Sequence, residues 1–130
     1  MEQKNMIKVL VIEPQKKPYV KCIENTLKSL QNEVGGCIQA VYPWEDEVAI
    51  VADDEAKLKD KSLNRALLDE DGRVYDIIAG TFLIVGLAEE SFCSLTDELA
   101  EKFANLFENP EMFLVGKSHG KKSTPKATKD

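Results

Sequence analysis

The sequence predicts an α+β domain, a mixed or mainly antiparallel sheet of about five strands packed by two amphipathic helices. Three observations predict it. Turn signals sit in the middle of the chain, at Pro43-Trp44-Glu45-Asp46 and at Asp71-Gly72. Two stretches carry an apolar stripe at helical spacing. One dense run, Tyr75 to Leu87, is apolar without alternation, as a strand covered on both faces would be.

The elements follow in order. Ile7, Val9 and Val11 alternate with Lys8, Leu10 and Ile12, a first strand apolar on nearly both sides. Pro14 and Pro18 frame a basic connector. From Tyr19 the apolar period changes: Val20, Ile23, Leu27, Leu30 and Val34 are spaced as one helical stripe, closed by Gly35-Gly36. Cys37–Pro43 and Glu47–Asp53 read as two strands of a hairpin. The polar stretch 53–62 reads as a short helix or surface loop.

Short extended arms at Ala66–Leu68 and Val74–Tyr75 flank Asp71-Gly72, and one central strand is expected from Asp76 onward. Gly80 inside it marks a bulge, or a close approach of backbone or ligand. Thr96 is placed to cap a last helix whose buried stripe is Leu99, Phe103, Leu106 and Phe107, with Asp97 and Glu98 where its dipole favours anions. Asn109-Pro110 ends it, and Glu111–Val115 reads as a final short extended piece. Residues 1–115 thus form one domain, and 116–130 a disordered lysine-rich tail.

Composition narrows the chemistry. The chain has 130 residues, 43% hydrophobic and 31% charged, as for a soluble globular domain. Five lysines against Asp130 give the tail a formal +4, so the −6 of the whole chain leaves −10 on residues 1–115. Such a body repels phosphates, so nucleic acid is expected only through the tail. Cys22, Cys37 and Cys93 form no C-x-x-C pair, read as buried thiols, and fit a reducing cytoplasm. Met1–Pro14 lacks the layout of a secretory signal, and the uninterrupted apolar part of the dense run is about half the ~20 residues of a membrane span. No membrane association is expected.

Catalytic motifs are sparse. Gly80 and Gly86 carry neither the lysine of a phosphate loop nor a dinucleotide glycine pattern. His119, the single histidine, lies in the tail, which disfavours histidine-dependent catalysis. Asp69-Glu70-Asp71-Gly72 brings its glycine too early for a calcium loop. No catalytic residue, metal ligand or cofactor is assigned.

Two groups of residues are candidates for binding. Asn64 and Arg65 form the least routine polar pair. Arg65 could fork onto a carboxylate or phosphate: with Asp76 as an internal partner the pair is structural, and the other reading is a small-molecule or nucleotide site of Asn64, Arg65, Asp76 and Gly80. Tyr42, Trp44, Glu45, Asp46 and Glu47 form an aromatic, acidic turn suited to a partner protein, the other reading being a Trp44 that covers the end of the core. Further acidic clusters, Asp53-Asp54-Glu55, Asp69-Glu70-Asp71 and Glu89-Glu90, could present a DNA-like surface or serve solubility alone.

The chain resembles a family known as a domain of unknown function, number 3846, found in gut bacteria, their phages and their conjugative elements. Leu30–Pro43, Leu63-Asn64-Arg65-Ala66, Asp76–Thr81 and Phe92-x-Ser94-Leu95-Thr96 carry the resemblance, which covers roughly residues 6–110. It implies a mobile-element accessory protein and supplies no catalytic residues. The expectation is therefore a non-catalytic protein binding a host partner, with an anti-defence role among its uses. The alternatives are a small ligand or nucleotide held by Asn64, Arg65 and Gly80, or an enzyme using carboxylates or a metal among Glu13, Asp53, Asp54 and Asp76. An exposed edge strand could pair two copies into a homo-oligomer.

Overall fold

Alternation along the first strand decides where the core lies. The computed structural model describes residues 5–89 and 91–111. In it, strand β1 (Met6–Ile12) sends Ile7, Val9 and Val11 into one apolar cluster and Leu10 and Ile12 into another. A strand with both faces buried needs a covering layer on each side of its sheet, and β1 has them while pairing between β2 (Tyr19–Glu24) and β7 (Phe82–Leu87). The main sheet runs β2-β1-β7-β4-β3, with β3 Ile38–Val41 and β4 Val48–Asp53. Short β8 (Phe92–Cys93) also pairs β7, and every pairing is antiparallel.

Each face has its own cover. Helix α1 (Leu27–Val34) lays Leu30 and Val34 on Ile7, Val9, Val11, Ala49, Val51, Leu83 and Val85. On the other face, α2 (Asp97–Leu106) brings Ala100 and Phe103, and Phe107 at its end, onto Leu10, Ile12, Ile50, Phe82 and Ile84. A two-stranded hairpin, β5 (Leu63–Leu68) with β6 (Val74–Ala79), completes that second layer through Leu67 and Ile78. The result is one α+β domain of eight strands and two helices among the described residues, against the about five strands expected.

The extra strands have identifiable causes. Tyr19–Glu24, expected as the first half of a long helix, is strand β2. Lys21 lies opposite Val9 and Ile23 opposite Ile7. In a strand, Val20 and Ile23 point to opposite faces, so Ile23 is buried while Val20 is exposed; their helical spacing is coincidental. The helix begins only where Thr26 caps it, its hydroxyl accepting from Ser29 N, and stops at left-handed Gly35, as expected.

The run from Asp76 to Leu87 is two strands rather than one central strand. It turns at Gly80, whose φ of +77° favours glycine, so β6 belongs to the hairpin and β7 to the main sheet. Three smaller expectations also change. Cys22 and Cys37 are exposed and Cys93 is half-buried, because edge positions leave thiols at the surface. Leu106 faces solvent, its place in the buried stripe taken by Ala100. Residues 54–60 form a turn-rich loop. The tail at 116–130 with His119, residues 112–115 of the final extended piece, and Glu90 lie outside the described residues. Among the described residues no helix is long and apolar enough to cross a membrane.

Candidate functional site

Asn64 and Arg65 lie at the start of β5, where the hairpin leaves the main sheet, and both are fully buried. Asn64 Nδ2 donates to Ile12 O at 2.9 Å and Gly80 O at 2.8 Å, joining the end of β1 to the corner between the sheets. Arg65 points its guanidinium at oxygens from three segments. Nε and Nη2 donate to Phe107 O at 3.1 and 3.0 Å, Nη2 also to Lys16 O at 2.7 Å, and Nη1 to Asn64 Oδ1 at 2.7 Å and Asn64 O at 3.3 Å. The fork is saturated by acceptors of the protein itself, mostly main-chain.

Asp76 is not its partner. That carboxylate stands half-exposed on β6, bound to Lys57 at 3.0 Å and to its own neighbour Ile77 N at 2.8 Å. Arg65 is opposite Ile78, whereas Asp76 sits two residues nearer the hairpin tip, opposite Leu67. The acid that acts on Arg65 is Glu111, whose Oε1 accepts from Ala66 N at 3.3 Å. Burial lowers the guanidinium's affinity for its proton, and the Glu111 charge opposes that. Burial likewise raises the Glu111 carboxyl above its ordinary range, against the Ala66 N–H and Arg65. The structure thus gathers Asn64, Arg65 and Gly80 in the interior and leaves Asp76 outside.

A second polar centre forms around Asp53, which the sequence offered only within an acidic cluster and among the carboxylates of an enzyme, without its lysine partners. Asp53, at the end of β4 on the α1 face, has a fully covered side chain. It accepts from Lys61 at 2.6 Å, Lys59 at 3.0 Å and Glu55 N at 2.9 Å. The same ammonium groups reach the carbonyls that end α1: Lys61 Nζ lies 2.9 Å from Val34 O and 3.1 Å from Gly35 O, and Lys59 Nζ 3.4 Å from Gly35 O. Cations at a helix C-terminus oppose its dipole charge. Burial pushes the Asp53 carboxyl up, but the bonds from Lys61, Glu55 N and Lys59 outweigh it and hold the pKa at about 2. The clue in the sequence was Lys57, Lys59 and Lys61 at alternate positions after the acidic cluster.

The Tyr42–Glu47 turn divides between core and surface. Trp44 is half-buried against α2, its ring centroid 4.4 Å from that of Phe103 and 6.1 Å from that of Phe107. Asp46 binds Lys102 at 2.7 Å, a hydrogen bond that lowers its pKa. Tyr42, Glu45 and Glu47 are exposed. Glu13, offered as a converging carboxylate, instead accepts from the Tyr19 hydroxyl at 2.7 Å, a contact that lowers Glu13 and lifts Tyr19 to about 12. Among the described residues no three His, Cys, Asp or Glu side chains gather as a metal site would require.

A six-stranded antiparallel sheet, one helix on one face and a helix with a hairpin on the other, defines a small α+β protein whose buried polar residues are bonded internally. The family model described as "Domain of unknown function (DUF3846)" matches residues 7–108, and the chain belongs to that family. No curated protein and no solved structure matches the chain.

Proposed function

We propose that this chain is a non-catalytic binding protein, an accessory of phages or other mobile elements that engages a host protein in the cytoplasm, with interference in host defence as its setting. The observation that supports the reading most is the contrast between interior and exterior. Inside, Asn64, Arg65 and Asp53 spend their polar atoms on the protein's own main chain and side chains. Outside, Tyr42, Leu58, Leu68, Val74 and Tyr75 stand exposed on a body rich in acids. Exposed aromatic and aliphatic side chains ringed by charge are what protein interfaces use.

The test is purification of the full chain from its native cell, identification of what accompanies it, and reconstitution from purified components. The reading expects one protein to bind at a fixed ratio. It also expects no rise in melting temperature with a panel of nucleotides and divalent metals, since a ligand of the folded state raises it. A clear rise with a nucleotide, lost in Asn64→Ala, would move the function to the interior pair.

A further inference from the structure

We propose that the tip of the 54–60 loop and the outer half of the β5–β6 hairpin form the docking face, and that it fits a protein presenting an apolar socket within a basic rim. This rests on the binding reading above and adds the place and the partner's chemistry.

The apolar centre is unusual for its exposure. Leu58 is 84% exposed, and Leu68, Val74 and Tyr75 are each more than half exposed. Leu58 is held out by a braced loop: Ala56 is buried beneath it, Lys59 and Lys61 bind Asp53, and Lys57 binds Asp76. That last pair ties the loop to β6. A side chain presented on a fastened loop loses little freedom on binding.

The rim sets the partner's charge. Among the described residues Asp54, Glu55, Asp60, Glu70 and Asp71 are exposed and form no ion pair, while of the nearby cations Lys57 and Lys59 are taken by Asp76 and Asp53, which leaves the exposed Arg73 against five acids. The excess is negative, so complementarity asks for lysine or arginine opposite. Strand addition is disfavoured as the mode. Ala66 and Ile77, opposite one another in the hairpin, give their N–H groups to the carboxylates of Glu111 and Asp76. With these two edge donors taken, the proposal gives recognition to side chains.

The experiment selects a random linear peptide library on the immobilised full-length chain and measures winners against wild type and the Leu58→Ser/Tyr75→Ser double variant. The expected winners combine lysine or arginine with large apolar residues. They bind the double variant at least about fivefold more weakly, and weaken as salt rises several-fold. Both positions are exposed, so the melting temperature should hold. Winners without basic bias, winners bound equally by the double variant, or no winners at all would overturn the proposal. Winners insensitive to that variant but lost with Tyr42→Ser and Glu45→Gln would move the face to the 42–47 turn and leave the binding reading intact. A co-purifying nucleotide released by Asn64→Ala would overturn that reading itself.

Discussion

At the scale of single residues, Asp53 shows how burial and hydrogen bonding compete. Taking a carboxylate out of water costs several kcal/mol unless its lone pairs are filled. Here two ammonium groups and a main-chain N–H fill them, and the pKa falls from 3.8 to about 2. A depressed folded-state value means that deprotonated Asp53 favours the fold. Its contribution is complete above about pH 4 and disappears as pH falls towards about 2. Urea unfolding of wild type and Asp53→Asn should therefore differ by about 2 kcal/mol near neutrality and converge in acid. A gap that stays constant with pH would show that Asp53 acts through shape alone. Trp44 makes a different point at this scale. Its ring closes the core over Phe103 and Phe107, so Trp44→Ala should cost about 3 kcal/mol in the same measurement.

At the scale of elements, Gly80 divides one apolar run between two sheets. Its φ of +77° already disfavours a side chain, and a Cβ there would lie 3.0 Å from the Lys61 stem. Gly72, at the hairpin tip, has a similar φ of +80° but open space around it. Both alanine variants should lose about 1 kcal/mol from backbone strain, and Gly80→Ala should lose more, read from urea midpoints. Equal losses would mean that the corner yields freely.

The caps show what was legible beforehand. Thr96 with Asp97 and Glu98 announced α2, Gly35 announced the end of α1, and alternation announced β1 and the β3–β4 hairpin, because those signals are local. Strand β2 was not legible. Val20, Ile23 and Leu27 repeat at helical spacing, and only pairing with β1 overrides that pattern. The split at Gly80 was half visible: a glycine in a strand signalled irregularity, but its φ and the sheet on either side depend on distant packing. For the interior pair, the residue types pointed to Asn64 and Arg65. The partners could not be read, since Phe107 O and Lys16 O are main-chain atoms 42 and 49 residues away.

At the scale of the whole molecule, the Asn64–Arg65 clamp ties together the hairpin, the end of β1, the basic connector and the end of α2. Hydrophobic packing of Leu67 and Ile78 draws the hairpin onto the sheet, and the clamp gives otherwise buried carbonyls their donors. The protein's fastening thus lies inside, and the proposed reading assigns recognition to the surface. The most direct measurement is equilibrium urea unfolding of Arg65→Ala, with partner or peptide binding followed on the same samples. Loss of the guanidinium should lower stability by about 3 kcal/mol through unsatisfied buried carbonyls, and the folded fraction should bind as wild type does. Unchanged stability together with abolished binding would contradict the account and make Arg65 the site.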